Sequence, residues 1–377
     1  MVVSKIKLFI HCLVGMIFLI AGNLLFFNSE KFRLFIQLFS SSYILIYIIM
    51  NRQFLFLNKY HILYLLVGGG WLLFGMINSY LIEYAFLKFD SIILNCFFVF
   101  LYFSILLLKY GFENFFKNLI FVGIFLVFPT LIYKYLYGFF QRDVRFFLNG
   151  ANVFGWLYGF YALLCLLFLK NKIYYIYFLI CISCVFWSQS KGAIISLTIC
   201  GLLLIAYKNK FNLVGFLKII SIVPIIFFIK YMILIFFPES RINALFRILE
   251  GKTDDSDYGS VGIRMEMYSS ALDLFSKNYF FGVGLGDFSI YTNYNIMYPH
   301  NVPLELLAEV GILGISFFII YYILMFILGK NQYLKIFSIY FLIVCLFSGD
   351  LSYLRYSFVF VLLGISIKSF DVRSIKC

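Results

Sequence analysis

The sequence predicts an all-α polytopic membrane protein with about twelve transmembrane helices. Of its 377 residues, 64% are hydrophobic and only 12% are charged, whereas about 25% of residues are charged in an average soluble protein. Apolar runs of roughly 20 residues, the length that crosses a bilayer, recur along the chain. Backbone groups cannot stay unpaired in lipid, so these runs are expected to be helices, and barrel-type alternation is absent.

The apolar runs divide the chain into three regions. Residues 1–237 carry helices 1–9, residues 238–302 form one long loop, and residues 303–377 carry helices 10–12 and a short tail. The predicted spans are 6–27, 32–50, 60–80, 90–108, 115–137, 150–169, 172–188, 192–207, 212–237, 303–328, 333–348 and 352–368. No other loop exceeds about a dozen residues, so the long loop is the natural place for water-facing chemistry.

The distribution of cations predicts the orientation. Lys and Arg gather in alternate short loops, which indicates that these loops and both termini are cytoplasmic. The amino terminus shows no cleavage pattern and is expected to remain as the first helix. The long loop then lies outside, and its five cations and eight acids give it a net charge of −3. Helical spacing at 241–250 and 262–276 predicts amphipathic helices within it.

The net charge of +13 is largely explained by this topology. A basic protein can indicate nucleic-acid binding, but no basic face lies on a soluble domain here, and no nucleic acid is expected as a partner. Seven of the eight cysteines lie in predicted spans and Cys377 ends the chain, so no disulfide is expected. Cys181 and Cys184 form a C-x-x-C pattern inside an apolar helix, which favours packing over a metal or redox role.

Several cations remain at the outer boundary of the membrane: Arg142, Arg145, Lys191, Arg264 and Arg355. Ionisable groups at membrane depth are costly and usually mark a functional pathway. The alternative is that each cation is an interfacial anchor whose stem lies in lipid and whose head reaches water.

His300 is the candidate general base. It precedes Asn301, the expected helix cap, and Pro303 in the first turn. The positive end of the helix dipole would disfavour imidazolium and keep the ring neutral; the alternative is a loop histidine without a partner. Glu305 and Glu309 share one helix face. Glu309 either orients a cation or the histidine, or packs against an outer-loop partner.

Two further patterns in the long loop have competing interpretations. Gly282, Gly284 and Gly286 lack the Lys-Ser/Thr that follows a phosphate-binding loop, which favours a turn that brings Arg264 and His300 together. Asp255-Ser256-Asp257 spells the acid pair of metal-dependent glycosyltransferases. It has no evident third ligand, so a solvated loop is favoured.

The pattern His300-Asn301, nine residues, Gly311, two residues, Gly314 resembles that of the O-antigen ligase and polymerase superfamily. Ser190-Lys191-Gly192 is similar to the family's Ser-Arg-Gly element. Lys191 keeps the charge of the usual Arg but lacks its bidentate fork. Arg145 also stands upstream of a Gly/Asn cluster, as in the family: Asn149, Gly150 and Asn152.

The resemblance implies an enzyme of the bacterial inner membrane with a helical, lipid-dependent (GT-C-like) glycosyltransferase fold and a periplasmic active site. It would work without metal or cofactor in lipopolysaccharide biosynthesis. Its donor would be a glycan on undecaprenyl diphosphate. A polymerase passes this glycan to another lipid-linked repeat unit, and a ligase passes it to lipid A core; the polymerase is favoured. Other implied partners are membrane lipids, a chain-length regulator and a flippase.

On this hypothesis His300 takes the proton of the acceptor hydroxyl, and outer cations stabilise the leaving diphosphate. The expected diphosphate- and glycan-binding residues are Arg145, Lys191, Arg264, Arg142, Arg355, Asn152, Asn301 and Glu309. The competing class is a lipid-linked oligosaccharide transporter. Transporters tend to have repeated halves and midplane charges, and this sequence has neither.

Overall fold

The protein is described by a computed structural model, which defines residues 2–20, 30–55, 57–137, 150–208, 231, 255–292, 297–347 and 349–366. These residues contain helices and no strands. The helices are α1 (Val2–Ile20), α2 (Glu30–Met50), α3 (Lys59–Ile77), α4 (Ile82–Tyr110), α5 (Phe112–Tyr137), α6 (Ala151–Phe168), α7 (Lys172–Ser188), α8 (Lys191–Lys208), α9 (Asp255–Lys277), α10 (Val302–Leu328), α11 (Gln332–Phe347) and α12 (Leu351–Ser366).

Within the described residues, six helices are long and apolar enough to cross a membrane, by length and composition. These are α3, α4, α5, α6, α8 and α10, and four shorter apolar helices accompany them. The chain is therefore consistent with a polytopic membrane protein. The predicted span 212–237 lies outside the described residues except for residue 231, so twelve crossings and the GT-C-like architecture stay predictions.

Two helices differ from the sequence expectations. The predicted spans 60–80 and 90–108 left residues 81–89 as a connecting loop, but α4 begins at Ile82, so this stretch is helical from residue 82. We also expected Asp255-Ser256-Asp257 in a solvated loop, and this was wrong, because α9 begins at Asp255. The predicted helix 241–250 lies outside the described residues.

Aromatic side chains form much of the core. Tyr158, Tyr161 and Tyr340 are fully buried; the Tyr161 ring packs against Gly123 of α5, and the Tyr340 hydroxyl of α11 packs against Gly159 of α6. Two of the hydroxyls are satisfied by carbonyls: Tyr340 donates to Trp156 at 2.8 Å and Tyr158 donates to Gly123 at 3.2 Å. A buried hydroxyl needs such a partner. Cys181 and Cys184 are buried inside α7 without a disulfide, which favours the packing role expected of them.

The two ends of the bundle differ in chemistry. At one end Lys109 donates to Asn51 Oδ1, Lys208 to the Leu166 carbonyl and Lys335 to the Phe326 carbonyl, at 2.9–3.0 Å. These are cations of the predicted cytoplasmic loops. The other end contains His300, and we call it the histidine end. It is formed by residues 78–81, 188–192, 278–292, 297–301, 346–347 and 349–350. Which of these two ends faces the cytoplasm stays a prediction.

Candidate active site

The candidate active site is built on the first turn of α10. Asn301 caps this helix, because its side-chain oxygen accepts the Leu304 N–H at 3.2 Å, and Pro303 stands in the first turn as predicted. The Asn301 side-chain nitrogen also donates to the Leu346 carbonyl at the end of α11, at 3.2 Å. Asn301 therefore starts α10 and ties it to α11. Its predicted contact with substrate stays a prediction.

His300 is held in an unusual backbone conformation just before this cap. Its φ of 58° lies in the left-handed region, which is costly for a residue other than glycine, by about 1–3 kcal/mol. The ring packs edge-on against Tyr298, with centroids 4.5 Å apart. Its Nδ1 is buried and has no hydrogen-bond partner among the described residues. Strain and an unpartnered ring nitrogen together mark His300 as a functional candidate.

The electrostatic surroundings keep this histidine neutral. Burial and, to a smaller extent, the nearby Arg264 cation lower the pKa of His300 to about 4, while Asp350 acts in the opposite direction. The sequence predicted a neutral ring because of the helix dipole. The structure adds two causes, loss of solvent and a neighbouring cation.

Arg264 and Lys191 both lie around the end of α11. Arg264, on α9, donates from Nη1 to the Phe347 carbonyl at 3.0 Å. Lys191 is the first residue of α8, and the next residue, Gly192, packs so closely on Phe347 that a Cβ there would lie 2.8 Å from the Phe347 Cβ. The two predicted cations therefore come from distant parts of the chain to one location, beside the α10 cap.

Asn152 lies in the first turn of α6, close to the same location. One turn further on, Gly155 packs against the connection between α7 and α8, where an added Cβ would lie 3.0 Å from the Ser190 Cβ. This contact brings the start of α6 next to Lys191. Arg142 and Arg145, the two arginines predicted upstream, lie outside the described residues.

Arg355 occupies a different environment from the other predicted cations. It is 2% exposed, and its guanidinium donates to the Leu19 carbonyl at 2.8 Å, to Ser91 Oγ at 2.5 Å and to the Ser352 carbonyl at 2.9 Å. These bonds join α12 to α1 and α4. The arrangement is typical of a structural arginine, and a diphosphate ligand would have to replace these partners.

Glu309 forms part of a buried ion cluster with a lysine that the sequence analysis missed. Both of its oxygens accept hydrogen bonds from Lys88 of α4, at 2.7 and 2.8 Å, and one accepts the Gly286 N–H at 2.8 Å. Lys88 also lies 2.5 Å from Glu305. The two roles expected of Glu309 as alternatives are therefore both present: it binds a cation, Lys88, and it contacts the outer loop at Gly286. The sequence signal for this buried cation was the pair Glu305 and Glu309, two glutamates four residues apart on one face of α10.

The glycine run forms a turn that docks into a break in α10. At Gly311 the backbone leaves the helical region, with φ 68° and ψ −172°. The opened carbonyls of Ala308 and Glu309 accept the N–H groups of Val283 and Gly284, at 2.9 and 3.1 Å. An added Cβ at Gly311 would overlap the Phe280 carbonyl. Gly311, the first glycine of the pattern that begins at His300, therefore permits the backbone of α10 to approach the backbone at Phe280 closely.

This docking also decides between the two interpretations of the glycine run. Every N–H group from residue 283 to residue 287 donates to a protein acceptor: Ala308, Glu309, Gly75, the Glu309 carboxylate and Gly284. None of these donors is left for a phosphate. The glycines form a turn, as favoured from the sequence, and the phosphate-loop alternative is wrong.

The family model described as O-antigen ligase matches residues 176–319. This segment is therefore similar to the O-antigen ligase family. The match runs from α7 to the middle of α10 and includes Lys191, Arg264, His300 and Glu309, and it confirms the resemblance to the O-antigen polymerase and ligase superfamily. No significant match was found among curated proteins. The match supports a function of the ligase or polymerase type, that of a membrane glycosyltransferase-like enzyme of polysaccharide biosynthesis.

The low pKa of His300 can be measured directly. Replacing Arg264 by Gln removes a neighbouring cation, so the pKa of His300 is expected to rise, while burial still holds it below the ordinary value. NMR titration of histidine-labelled protein in detergent follows all three histidines, and loss of one signal in His300→Gln assigns the site. An unchanged titration in Arg264→Gln would mean that the arginine does not act on the ring.

Proposed function

We propose that the protein is a surface-polysaccharide polymerase that joins undecaprenyl-diphosphate-linked repeat units on the periplasmic face of the bacterial inner membrane. The observation that carries this proposal is the placement of His300. A strained histidine with an unpartnered Nδ1 lies beside Arg264, at the meeting point of α8, α10 and α11. A base next to fixed cations suits a reaction in which a hydroxyl attacks and a diphosphate leaves.

The proposed reaction is a single displacement. The acceptor hydroxyl oxygen forms a bond to the donor sugar C1, the bond from C1 to the phosphate oxygen breaks, and undecaprenyl diphosphate leaves with its electron pair. His300 takes the hydroxyl proton and later passes it to water. Arg264 and Lys191 stabilise the charge that grows on the diphosphate, and Arg145 is proposed to join them. No protein atom forms a covalent bond with the sugar.

The charge of the long loop supports a polymerase over a ligase. Lipid A core is a phosphorylated and strongly anionic acceptor, and a basic outer surface would attract it. The loop of residues 238–302 instead has a net charge of −3. A second lipid-linked repeat unit carries its diphosphate at the membrane surface and does not require a basic loop. The ligase is the second candidate, because the matching family model is described as O-antigen ligase.

One incubation separates these two functions. Purified protein is given a lipid-linked repeat unit alone, and in parallel the same donor with lipid A core. We expect glycans of two or more repeat units on undecaprenyl diphosphate in both reactions. Transfer that occurs only when lipid A core is present would make the protein a ligase.

The two cations near Phe347 are expected to bind the donor diphosphate. Arg264→Gln and Lys191→Gln should each weaken donor binding about tenfold or more, since a hydrogen bond to a charged group contributes about 1.5–3 kcal/mol. Binding is measured with purified donor in detergent. Lys117→Gln is the matched control, because Lys117 pairs with Glu113 at the other end of the bundle. Unchanged donor affinity in both variants would remove these residues from the site.

A further inference from the structure

The first part of α10 behaves as a separate short helix, which we call the half-helix (residues 302–310). It begins at the Asn301 cap and ends where Gly311 breaks the helix. His300 immediately precedes it, so the orientation of the half-helix sets the position of the imidazole ring. Because the break interrupts the regular α10 backbone, contacts with other elements must fix this orientation.

Lys88 connects the half-helix to another helix through close contacts with two glutamates. Its Nζ lies 2.5 Å from Glu305 Oε1 and 2.7 Å from Glu309 Oε1, and all three side chains are 0% exposed. The Lys88 ammonium also lies 4.5 Å from the centre of the Tyr84 ring, which favours the same position. Lys88 belongs to α4, so these contacts connect the half-helix to a long helix of the bundle.

The two glutamates are not equivalent partners of Lys88. Glu309 accepts two hydrogen bonds from Lys88 and one from Gly286 N–H, which suits an ionised carboxylate. The contact with Glu305 is one of distance alone, because neither of its oxygens has hydrogen-bonding geometry to a described donor. Two ionised carboxylates and one ammonium would leave a net buried negative charge, which is costly. Glu309 is therefore the anion, and Glu305 is the uncharged member.

We propose that Lys88 is a positioning residue for His300: by holding Glu305 and Glu309, it fixes the half-helix whose first turn presents the histidine. A second consequence follows from the charges. With Glu305 uncharged, the charges of Lys88 and Glu309 cancel. The cluster of Lys88, Glu305 and Glu309 then adds no net negative charge near the proposed diphosphate site. The expected effect on kcat rests on the proposed function, whereas the expected effect on the position of the half-helix does not depend on it.

Lys88→Met is expected to lower kcat about 10- to 100-fold with little change in KM for the donor, because misplacement by about 1 Å of a catalytic group costs this much. Hydrogen exchange of the peptides that cover residues 300–312 should become faster. Lys117→Met is the matched control, since it removes an ion pair far from the half-helix, and both measurements should match those of the wild-type protein. A fully active Lys88→Met with unchanged exchange would overturn the proposal.

The two glutamates supply a second and sharper comparison. Glu309→Gln removes the anion that faces Lys88, so it should reproduce the loss of kcat and the faster exchange. Glu305→Gln replaces a neutral carboxyl by a neutral amide of the same size, and a loss several times smaller is expected. The opposite order, with Glu305→Gln the more damaging change, would contradict the assignment of charges.

These experiments distinguish failure of the proposed function from failure of the positioning proposal. If the wild-type protein forms no glycosidic bond, the polymerase proposal fails, while faster exchange of residues 300–312 in Lys88→Met still supports the positioning role. If wild-type transfer is normal and exchange is unchanged in Lys88→Met and Glu309→Gln, the positioning proposal alone fails.

Discussion

His300→Ala is expected to abolish polymer ladders in cells while lipid-linked repeat units accumulate. A positioned general base contributes about 10²- to 10⁴-fold to a rate, and the described residues place no other histidine at this end of the bundle, since His61 contacts Ser366 and His11 contacts Tyr102. The measurement is the ladder of surface polysaccharide, together with the amount of lipid-linked repeat unit in the membrane fraction.

His300→Asn is the informative companion variant. Among residues with a side chain, asparagine is one of the few that tolerate the left-handed region, so it keeps the backbone at φ 58° and removes the base. The same loss of ladders is expected, with the protein present in the membrane at its normal amount. Normal ladders in either variant would show that His300 is not required for transfer.

Gly311→Ala is expected to be the most damaging single change outside the cluster of charged residues. The backbone conformation at Gly311, φ 68° and ψ −172°, is essentially limited to glycine and costs about 1–3 kcal/mol for any other residue. The added Cβ would also overlap the Phe280 carbonyl. The docked turn would have to move, and the half-helix with it. We expect a lower unfolding temperature in detergent and loss of transfer.

Gly111→Ala is the matched control for this prediction. Gly111 has a similar backbone conformation, with φ 80° and ψ 158° at the end of α4, but an added Cβ there meets nothing within 4 Å. Its substitution therefore introduces backbone strain without a steric clash and should leave transfer close to normal. If the two variants lose stability and transfer equally, the docking of the turn into the α10 break contributes to neither property.

The sequence was a good guide to features that depend on local chemistry. The predicted starts of α8 and α10, at residues 192 and 303, differ by one position from Lys191 and Val302. Apolar length determines such boundaries, and at α10 the asparagine cap, also a local signal, marks the start. Lys191, Arg264 and the cap that follows His300 all contact or adjoin the end of α11. Their common membrane side and their roles in a site stay predictions.

The features that the sequence did not reveal depend on distant contacts. The early start of α4 is one example: no local side chain caps it, but the buried Asp287 accepts the N–H groups of Tyr80 and Leu81 at 2.9 and 3.0 Å. This extension places Lys88 inside a helix opposite Glu309, where a loop was expected. The insertion of the glycine turn at Gly311 is likewise a pairing of two distant backbones, which no local pattern encodes.

The central claim is that this chain itself forms the glycosidic bond and uses His300 to do so. The most direct test is a single-turnover reaction in detergent, where transport cannot contribute. Purified wild-type protein and His300→Asn are each mixed with labelled lipid-linked repeat unit, and the product and the bound donor are measured. We expect joined repeat units from the wild-type protein, and donor binding without product from the variant. Equal product from both proteins, or none from a folded wild-type protein that binds the donor, would contradict the account.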